Sequence, residues 1–289
     1  MGINNAKFKD KFIAPLRNLR CNVPSICLSG EYIIRNINDH ERNHLNYLRE
    51  KAHFMPIGVN EYILEVPVEQ EIEKNFSGEE AIRNNKKGAE AIEDGIKILR
   101  LFKSGLIGFD CILKALADNS APAYTSFYSH RYLTRITGEF KLYELTESKE
   151  INSLTEFWSK YIDFIKTENK ALHWFYRSYH EFYSDDRLLD LVFTLENLYL
   201  KGDSEKQSLR YKFAIRGAFF LEKEPLKRKE IFAFLSEVYN LRNKIVHGDN
   251  VPDYDSLDIL PKLEDIVRKS LHNTLMDSKY YKNLDNNIF

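Results

Sequence analysis

The sequence contains few of the residues that mark specialised classes of protein. Its 289 residues include only three cysteines, Cys21, Cys27 and Cys111, and they form no C-x-x-C pair. This excludes a disulfide framework, and we expect three reduced thiols in a cytoplasmic protein. A formal net charge of -1 excludes a uniformly basic coat for nucleic acid, although it permits a local basic patch.

Long apolar runs and phosphate-binding loops are also missing. The first residues, MGINNAKFKDKF, contain no apolar stretch, so we expect no secretory signal there. No segment approaches the roughly 20 apolar residues needed to cross a membrane, so no membrane partner is expected. The G-x-G-x-x-G, P-loop and G-x-S-x-G patterns are absent. The classes of protein that depend on those loops are therefore excluded.

Apolar and aromatic side chains are plentiful, at 43% and 13% of the chain, which is enough for a ring-rich core. In residues 1–148, helical spacing over 91–102 and a capping pair of Ser77 and Glu80 predict a helix. Runs of β-branched and aromatic residues with partial alternation predict strands. The predicted strands cover 26–37, 60–68, 123–133 and 139–145. We therefore expect an α+β domain of unknown role over residues 1–148.

Residues 149–289 have a helical pattern throughout, with few glycines and prolines, as a bundle requires. One helix begins near Ser184, which resembles an N-cap followed by two acids. Its apolar stripe consists of Leu188, Leu191, Val192, Leu195 and Leu198. The longest helix spans 225–248, with Pro225 near its start and Gly248 as its stop. The expected fold is an α+β domain followed by an all-α bundle, predominantly helical overall.

The stretch RNINDHERNH, residues 35–44, contains two catalytic patterns that share one histidine. HERNH matches H-E-x-x-H, in which two histidines on one helix face bind zinc and the glutamate is the base. Asp39 resembles an N-cap, which would leave His40 in the first turn of a helix. A third ligand could only be guessed among Glu61, Glu65 and Glu69. RNINDH matches R-N-x-x-x-H, but Arg35 ends a strand. We interpret both matches as accidental and expect no metal.

The R-N-x-x-x-H pattern occurs again as RNKIVH, Arg242 to His247, inside the longest predicted helix. At about 100° per residue, Arg242 falls in the apolar stripe, whereas Asn243 and His247 share the polar strip beside it. The stripe consists of Ile231, Leu235, Val238, Tyr239, Ile245 and Val246. A buried arginine needs a partner, which is either an internal acid such as Glu196 or a substrate phosphate.

His247 lies in the last turn of that helix, where the helix dipole favours the imidazolium form. Two interpretations fit these positions. In one, Arg242 pairs with Glu196 and His247 caps the helix. In the other, Arg242 and His247 are a phosphate clamp and a proton-transfer group.

Several linked segments of the second half resemble the HEPN superfamily, and more narrowly its Apea-like branch. ALHWFYRSYHEFYSDDRLLDLVFTLENLYL is similar to the family's two early helices, and SLRYKFAIRGAFFL to a helix that carries an arginine before small residues. VYNLRNKIVHG is similar to the signature Tyr-x-x-Arg-Asn-x-x-x-His-Gly. The resemblance covers about residues 150–275, and the last segment is the specific one.

The resemblance implies an all-α HEPN bundle that pairs as a homodimer and cleaves RNA without a metal or other cofactor. Two R-x4-H motifs would form one composite endoribonuclease site, with the ribose 2′-OH as nucleophile. His247 would transfer protons, Arg242 would clamp the phosphate and Asn243 would position it. A bacterial toxin or phage-defence role by abortive infection is implied, with an antitoxin or sensor as partner. The alternative is a catalytically inactive HEPN module that binds a partner or a nucleotide.

Lys244, Arg216 and Arg210 are candidate substrate-binding residues. The two arginines belong to a cation-rich tract between Lys201 and Lys229 that could follow an RNA backbone. Acids interspersed in the tract fit a plain solvated surface equally well. Arg216 lies among small and apolar residues, so a salt-bridged core arginine fits it as well as a place near the site.

Overall fold

A computed structural model describes residues 6–52, 61–72, 78–109, 111–115, 124–127, 142–166, 169–181, 183–200, 208–249 and 259–276. The chain divides into two compact units, Met1–Lys166 and Thr167–Phe289. In its described residues the first unit combines strands with helices, whereas the second is helical. This agrees with the predicted order of an α+β part followed by a helical part.

The first unit is built on an antiparallel sheet. Its strands are β1 Ala6–Arg17, β2 Leu19–Cys21, β3 Ser25–Cys27, β4 Ile33–Asn36, β5 Tyr62–Ile72, β6 Gly108–Phe109, β7 Ile112–Ala115, β8 Tyr124–Phe127 and β9 Tyr143–Leu145. The sheet order is β3-β4-β5-β1-β7-β8, with β6 also paired to β1, while β2 and β9 form a separate parallel pair. The helices are α1 Asp39–Ala52, α2 Gly78–Phe102 and α3 Ser148–Ile165.

Strand β1 is central to the sheet, although the sequence patterns did not predict it. It pairs with β5 from Ala6 opposite Ile72 to Pro15 opposite Ile63, and with β7 on its other side. Charged residues alternate with phenylalanine in its first half, and Pro15 lacks the N–H that a central strand usually donates. The run therefore does not look like a buried strand, yet residues 12–17 are all buried.

Helix α2 approaches the sheet closely because two of its glycines face neighbouring side chains. A Cβ at Gly88 would lie 2.1 Å from the Phe12 ring, and one at Gly95 would lie 2.7 Å from Leu64. Helix α3 packs on α2 and places Trp158, which is fully buried, 5.1 Å from the Tyr32 ring. Because α3 belongs to this core, the division of the chain falls after α3 and not before it, where the sequence placed it.

Two strand predictions differ from the structure in detail. The run 26–37 is divided into β3 and β4, which pair antiparallel around a turn at Ser29–Glu31, where Glu31 has a left-handed φ of 68°. The run 60–68 is strand β5, which continues to Ile72. Strands β8 and β9 lie in the two later runs. The described residues do not include Ser77 or residues 60, 123, 128–133 and 139–141 of the predicted strands.

The second unit contains five helices in its described residues: α4 Lys170–Ser178, α5 Ser184–Tyr199, α6 Leu209–Leu221, α7 Pro225–His247 and α8 Ile259–Met276. Helix α5 contacts each of the other four. The five members of its predicted apolar stripe are all buried, so that prediction is confirmed. The prediction that Ser184 is the N-cap was wrong, because the cap position is Tyr183 and its side chain makes no capping hydrogen bond.

Within the described ranges, no helix is both long enough and apolar enough to cross a membrane.

Candidate functional site

Helix α7 carries the RNKIVH motif in its last two turns. The helix ends at His247 because Gly248 adopts the left-handed backbone conformation that favours glycine, with φ at 74°. The Gly248 N–H donates to the Ile245 carbonyl across 3.1 Å, and the Asp249 N–H donates to the Lys244 carbonyl across 2.9 Å. The predicted stop at Gly248 is therefore confirmed, as is Pro225 in the first turn.

Arg242 is half-buried between α5 and α7. Its side chain is 23% exposed, and its Nε lies 3.4 Å from Oε1 of Glu196. The centroids of the Phe193 and Tyr239 rings each lie 5.7 Å from the guanidinium carbon. Nε makes no hydrogen bond within the described residues, so the pair with Glu196 is a contact of charges without hydrogen-bond alignment. The sequence left two partners open for Arg242, an internal acid or a substrate phosphate. In the structure, the acid beside Arg242 is Glu196.

Burial alters the proton affinity of both groups beside Arg242. Desolvation raises the pKa of Glu196, although the charge of Arg242 and the hydroxyl of Tyr239 act in the opposite direction. Desolvation, together with the negative charge of Glu196, raises the pKa of the Tyr239 phenol. The Glu196 carboxyl therefore takes up a proton at a higher pH than an exposed glutamate does.

The polar strip of α7 carries the other two motif residues. Nη1 of Arg242 donates to Oδ1 of Asn243 across 3.3 Å, so the structure brings these two side chains together. His247 and Lys244 are exposed, and no hydrogen bond or ion pair joins His247 to Arg242 in the part of the chain described. Val246 is 50% exposed, because the apolar stripe is no longer covered at this end of α7.

Arg210 and Arg216 both lie on α6 but differ in what they bind. Nη1 of Arg210, which is exposed, donates to Oδ1 of Asn240 across 3.0 Å, on the strip that leads to His247. Nη1 of Arg216 donates to the Tyr199 carbonyl across 3.0 Å and so satisfies the end of α5. Arg210 is therefore held on the strip of α7 that also carries His247, whereas Arg216 is bonded to the end of α5.

A second arginine pair, which no sequence signal indicated, joins α4 to α5. Nε of Arg177 donates to Oδ2 of Asp190 across 2.9 Å and to Oε1 of Glu181 across 3.0 Å. Asp190 is fully buried, and desolvation raises its pKa to about 7 against the opposing charge of Arg177. The guanidinium carbon of Arg177 lies 4.5 Å from the centroid of the Trp174 ring. Arg177 and Asp190 belong to different helices, so helical spacing could not have revealed their pairing.

A third cluster surrounds Glu264 of α8. This carboxylate accepts hydrogen bonds from Arg187 of α5, from Arg268 one turn later and from the Tyr179 hydroxyl. Desolvation alone would raise the pKa of Glu264, but these partners hold it below its usual value. Only the spacing of Glu264 and Arg268, i and i+4 on a helix, is a signal that the sequence offers.

The first copy of the arginine motif, at Arg35, has a structural role. Its guanidinium donates to both carboxylate oxygens of Glu41, across 2.6 and 3.0 Å, and to Glu65 across 2.7 Å. Asn38 accepts the Glu41 N–H across 2.9 Å and donates its own N–H to Glu41 across 3.0 Å. The prediction that Asp39 is the N-cap was wrong, since this reciprocal capping box places the cap one residue earlier.

The hydrogen bonds of Glu41 to Asn38 and Arg35 also occupy the residue that would act as the base in a zinc peptidase. Glu41 is 1% exposed and bound to Arg35, while His40 points into solvent at the start of α1. Across the residues that the structure describes, no group of three histidine, cysteine, aspartate or glutamate side chains could hold a metal ion. HERNH is thus the capped beginning of a helix.

Comparison with protein-family models, with curated proteins and with solved structures finds no match to this chain. Its function must therefore be inferred from its own residues. The end of α7 is the candidate site, because it combines a half-buried guanidinium, an amide bonded to it and an exposed imidazole on two turns of one helix.

Proposed function

We propose that this protein is a metal-independent endoribonuclease that acts as a homodimer, with a composite site formed by one R-x4-H motif from each chain. The observation that carries the proposal is the joint presence of a half-buried Arg242, bonded to Asn243, and an exposed His247 at one helix end. The resemblance of residues 150–275 to the HEPN superfamily supports the same conclusion.

The chemistry needs only these groups and the RNA. The imidazole of one His247 accepts the proton of a ribose 2′-hydroxyl, and the 2′-oxygen attacks the adjacent phosphorus. The bond from phosphorus to the 5′-oxygen breaks, and His247 of the second chain donates a proton to that oxygen. Arg242 stabilises the charge on the phosphorane, because its planar fork matches two phosphate oxygens. The products are a 2′,3′-cyclic phosphate and a 5′-hydroxyl.

We place this activity in a bacterial toxin or phage-defence setting, restrained by an antitoxin or sensor partner. The support for this setting is the family resemblance. A cytoplasmic location fits the three free thiols of Cys21, Cys27 and Cys111.

Total RNA incubated with the purified protein in EDTA tests the proposal. We expect cleavage that leaves 5′-hydroxyl ends, and a loss of about 100-fold or more in both His247→Gln and Arg242→Lys, because each removes a proton-transfer or bidentate group. His173→Gln is the matched control, since His173 is an exposed histidine of the same unit. Equal loss in the control, or full activity in His247→Gln, would contradict the assignment.

The alternative function is a catalytically inactive HEPN module that binds a partner or a nucleotide. The pairing of Arg242 with Glu196 favours it, because a neutralised guanidinium offers less charge to a phosphate. A stable dimer that leaves RNA intact and is not toxic on expression would support this alternative. Activity that EDTA abolishes would contradict both functions.

A further inference from the structure

The second unit holds three arginines in a similar way, each against an aromatic ring and a carboxylate. The pairs are Arg177–Asp190, with a nitrogen–oxygen distance of 2.9 Å, and Arg242–Glu196, with one of 3.4 Å. In the third pair, Arg187–Glu264, the two atoms are closer than in either of these. The pairs of Arg177 and Arg187 are hydrogen-bonded, whereas that of Arg242 is not. Arg242 is therefore the least firmly bound of the three guanidinium groups.

We propose that Glu196 is an internal competitor for anions, whose carboxylate occupies Arg242 until a phosphate group replaces it. The inference rests on the proposed nuclease site, in which Arg242 is the phosphate clamp. Carboxylate and phosphate oxygens both match the guanidinium fork, so the two anions use the same donors. The pair is electrically neutral while Glu196 is bound, so the affinity of the site for phosphate is low in that state.

The exposure of the three acids explains why Glu196 alone is exchangeable. Its side chain is 20% exposed, whereas those of Asp190 and Glu264 are 0% and 9% exposed. A carboxylate at the edge of the bundle can turn towards water without leaving a buried, unpaired charge. The two buried acids have no such route, so they stay hydrogen-bonded to their arginines.

Arg242 would remain in position after Glu196 leaves. The rings of Phe193 and Tyr239 lie against the guanidinium, and Nη1 donates to Asn243 on the same helix. A cation beside two ring faces gains part of its stabilisation from the rings themselves. The side chain is thus held ready for an incoming phosphate by contacts that do not involve its counter-ion.

Titration with sulfate, followed by NMR of 15N-labelled arginine side chains, tests the inference without any cleavage. The resonance of Arg242 is assigned by its loss in Arg242→Gln. We expect Glu196→Gln to lower the half-saturating sulfate concentration at Arg242 by about fivefold or more, because a negative charge close to the anion is removed. In the double variant Glu196→Gln with Arg242→Gln, sulfate binding followed at the backbone amide of His247 should show no such gain over Arg242→Gln alone.

Glu181→Gln is the matched control. It removes the same charge from another arginine–glutamate pair of this unit, Arg177–Glu181 at 3.0 Å, and should leave sulfate binding at Arg242 unchanged. Unchanged or weaker sulfate binding in Glu196→Gln would overturn the inference. Should Glu196→Gln fail to fold, Glu196→Ala gives the same test, since the side chain is partly exposed and leaves little cavity.

The result of the sulfate titration can be distinguished from the result of the RNA cleavage assay. Tighter sulfate binding in Glu196→Gln, in a protein that does not cleave RNA, would support the competitor role and contradict the nuclease. A single-stranded RNA with 2′-O-methyl groups, which lacks the nucleophile, extends the test to the proposed substrate. We expect it to bind Glu196→Gln more tightly by a similar factor, and equal binding to both proteins would contradict the role for RNA.

Discussion

The carboxylates of the second unit show how the number of positive partners decides the charge of a buried acid. Glu264 is bound by two arginines and a tyrosine hydroxyl, and its pKa is held below the usual value although desolvation acts against this. Asp190 and Glu196 each face one arginine, and desolvation prevails, so their pKa values are raised, in Asp190 with a further contribution from the negative charges of Glu181 and Asp186. One guanidinium does not compensate for loss of water around a carboxylate here, whereas two guanidinium groups do.

Asp190→Asn should change how stability depends on pH. The pKa of Asp190 is raised to about 7 in the folded chain, above its ordinary value, so the protonated form is favoured by folding. Its contribution to the free energy of unfolding is present at pH 4 and is lost as the pH rises to about 7, at about 1.4 kcal/mol per pH unit. Urea unfolding between pH 4 and 8 measures the free energy of unfolding. That of Asp190→Asn should not fall in this way, so it should increase relative to the native value as the pH rises from 4 to 8.

The matched control for that measurement is Asp163→Asn, in which the substituted side chain is 91% exposed. Its unfolding free energy should follow the native pH profile. Parallel profiles for the native protein and Asp190→Asn would contradict the assignment of the titration to Asp190.

At the scale of elements, amphipathic spacing predicts helices well and buried strands poorly. The stripe of α5 and the two ends of α7 could be predicted because they depend on local periodicity and on Pro225 and Gly248. Strand β1 could not, because its buried Asp10 is compensated by Lys114 of β7, 2.6 Å away, which only the folded sheet brings near. Likewise, the sequence named Glu196 only as one possible partner of Arg242, and it is the packing of α5 on α7 that brings the two side chains together.

The stop of α7 depends on the left-handed conformation of Gly248. A Cβ would meet nothing within 4 Å, so the cost of a side chain is conformational and not steric crowding by neighbours. We expect Gly248→Ala to lower the free energy of unfolding by about 1 kcal/mol, and Gly248→Asn by less, because asparagine tolerates this conformation.

Urea unfolding gives the stability of both Gly248 variants, and amide hydrogen exchange of residues 244–248 reports the helix end directly. Faster exchange in Gly248→Ala than in Gly248→Asn is expected. Equal behaviour of the two variants would show that the stop does not depend on the left-handed conformation.

At the scale of the whole molecule, every residue of the candidate site belongs to the second unit, Thr167–Phe289. Glu196 and Phe193 come from α5, Arg210 comes from α6, and Arg242, Asn243 and His247 come from α7. One chain supplies one Arg242 and one His247, whereas the proposed cleavage needs one imidazole to accept a proton and another to donate one. The half-exposed Val246 beside His247 gives this helix end an apolar surface that a second copy of the chain could cover.

A composite site makes an inactive chain inhibitory to an active one. If native protein is allowed to exchange subunits with a ninefold excess of His247→Gln, random pairing leaves about one tenth of native chains with a native partner. We therefore expect RNA cleavage per native chain to fall to about a tenth after exchange, because each mixed dimer lacks one imidazole. The same mixture assayed immediately after mixing, before subunits exchange, is the control at identical concentrations. Cleavage that is the same before and after exchange would mean that each chain carries a complete site, and the composite arrangement would be wrong.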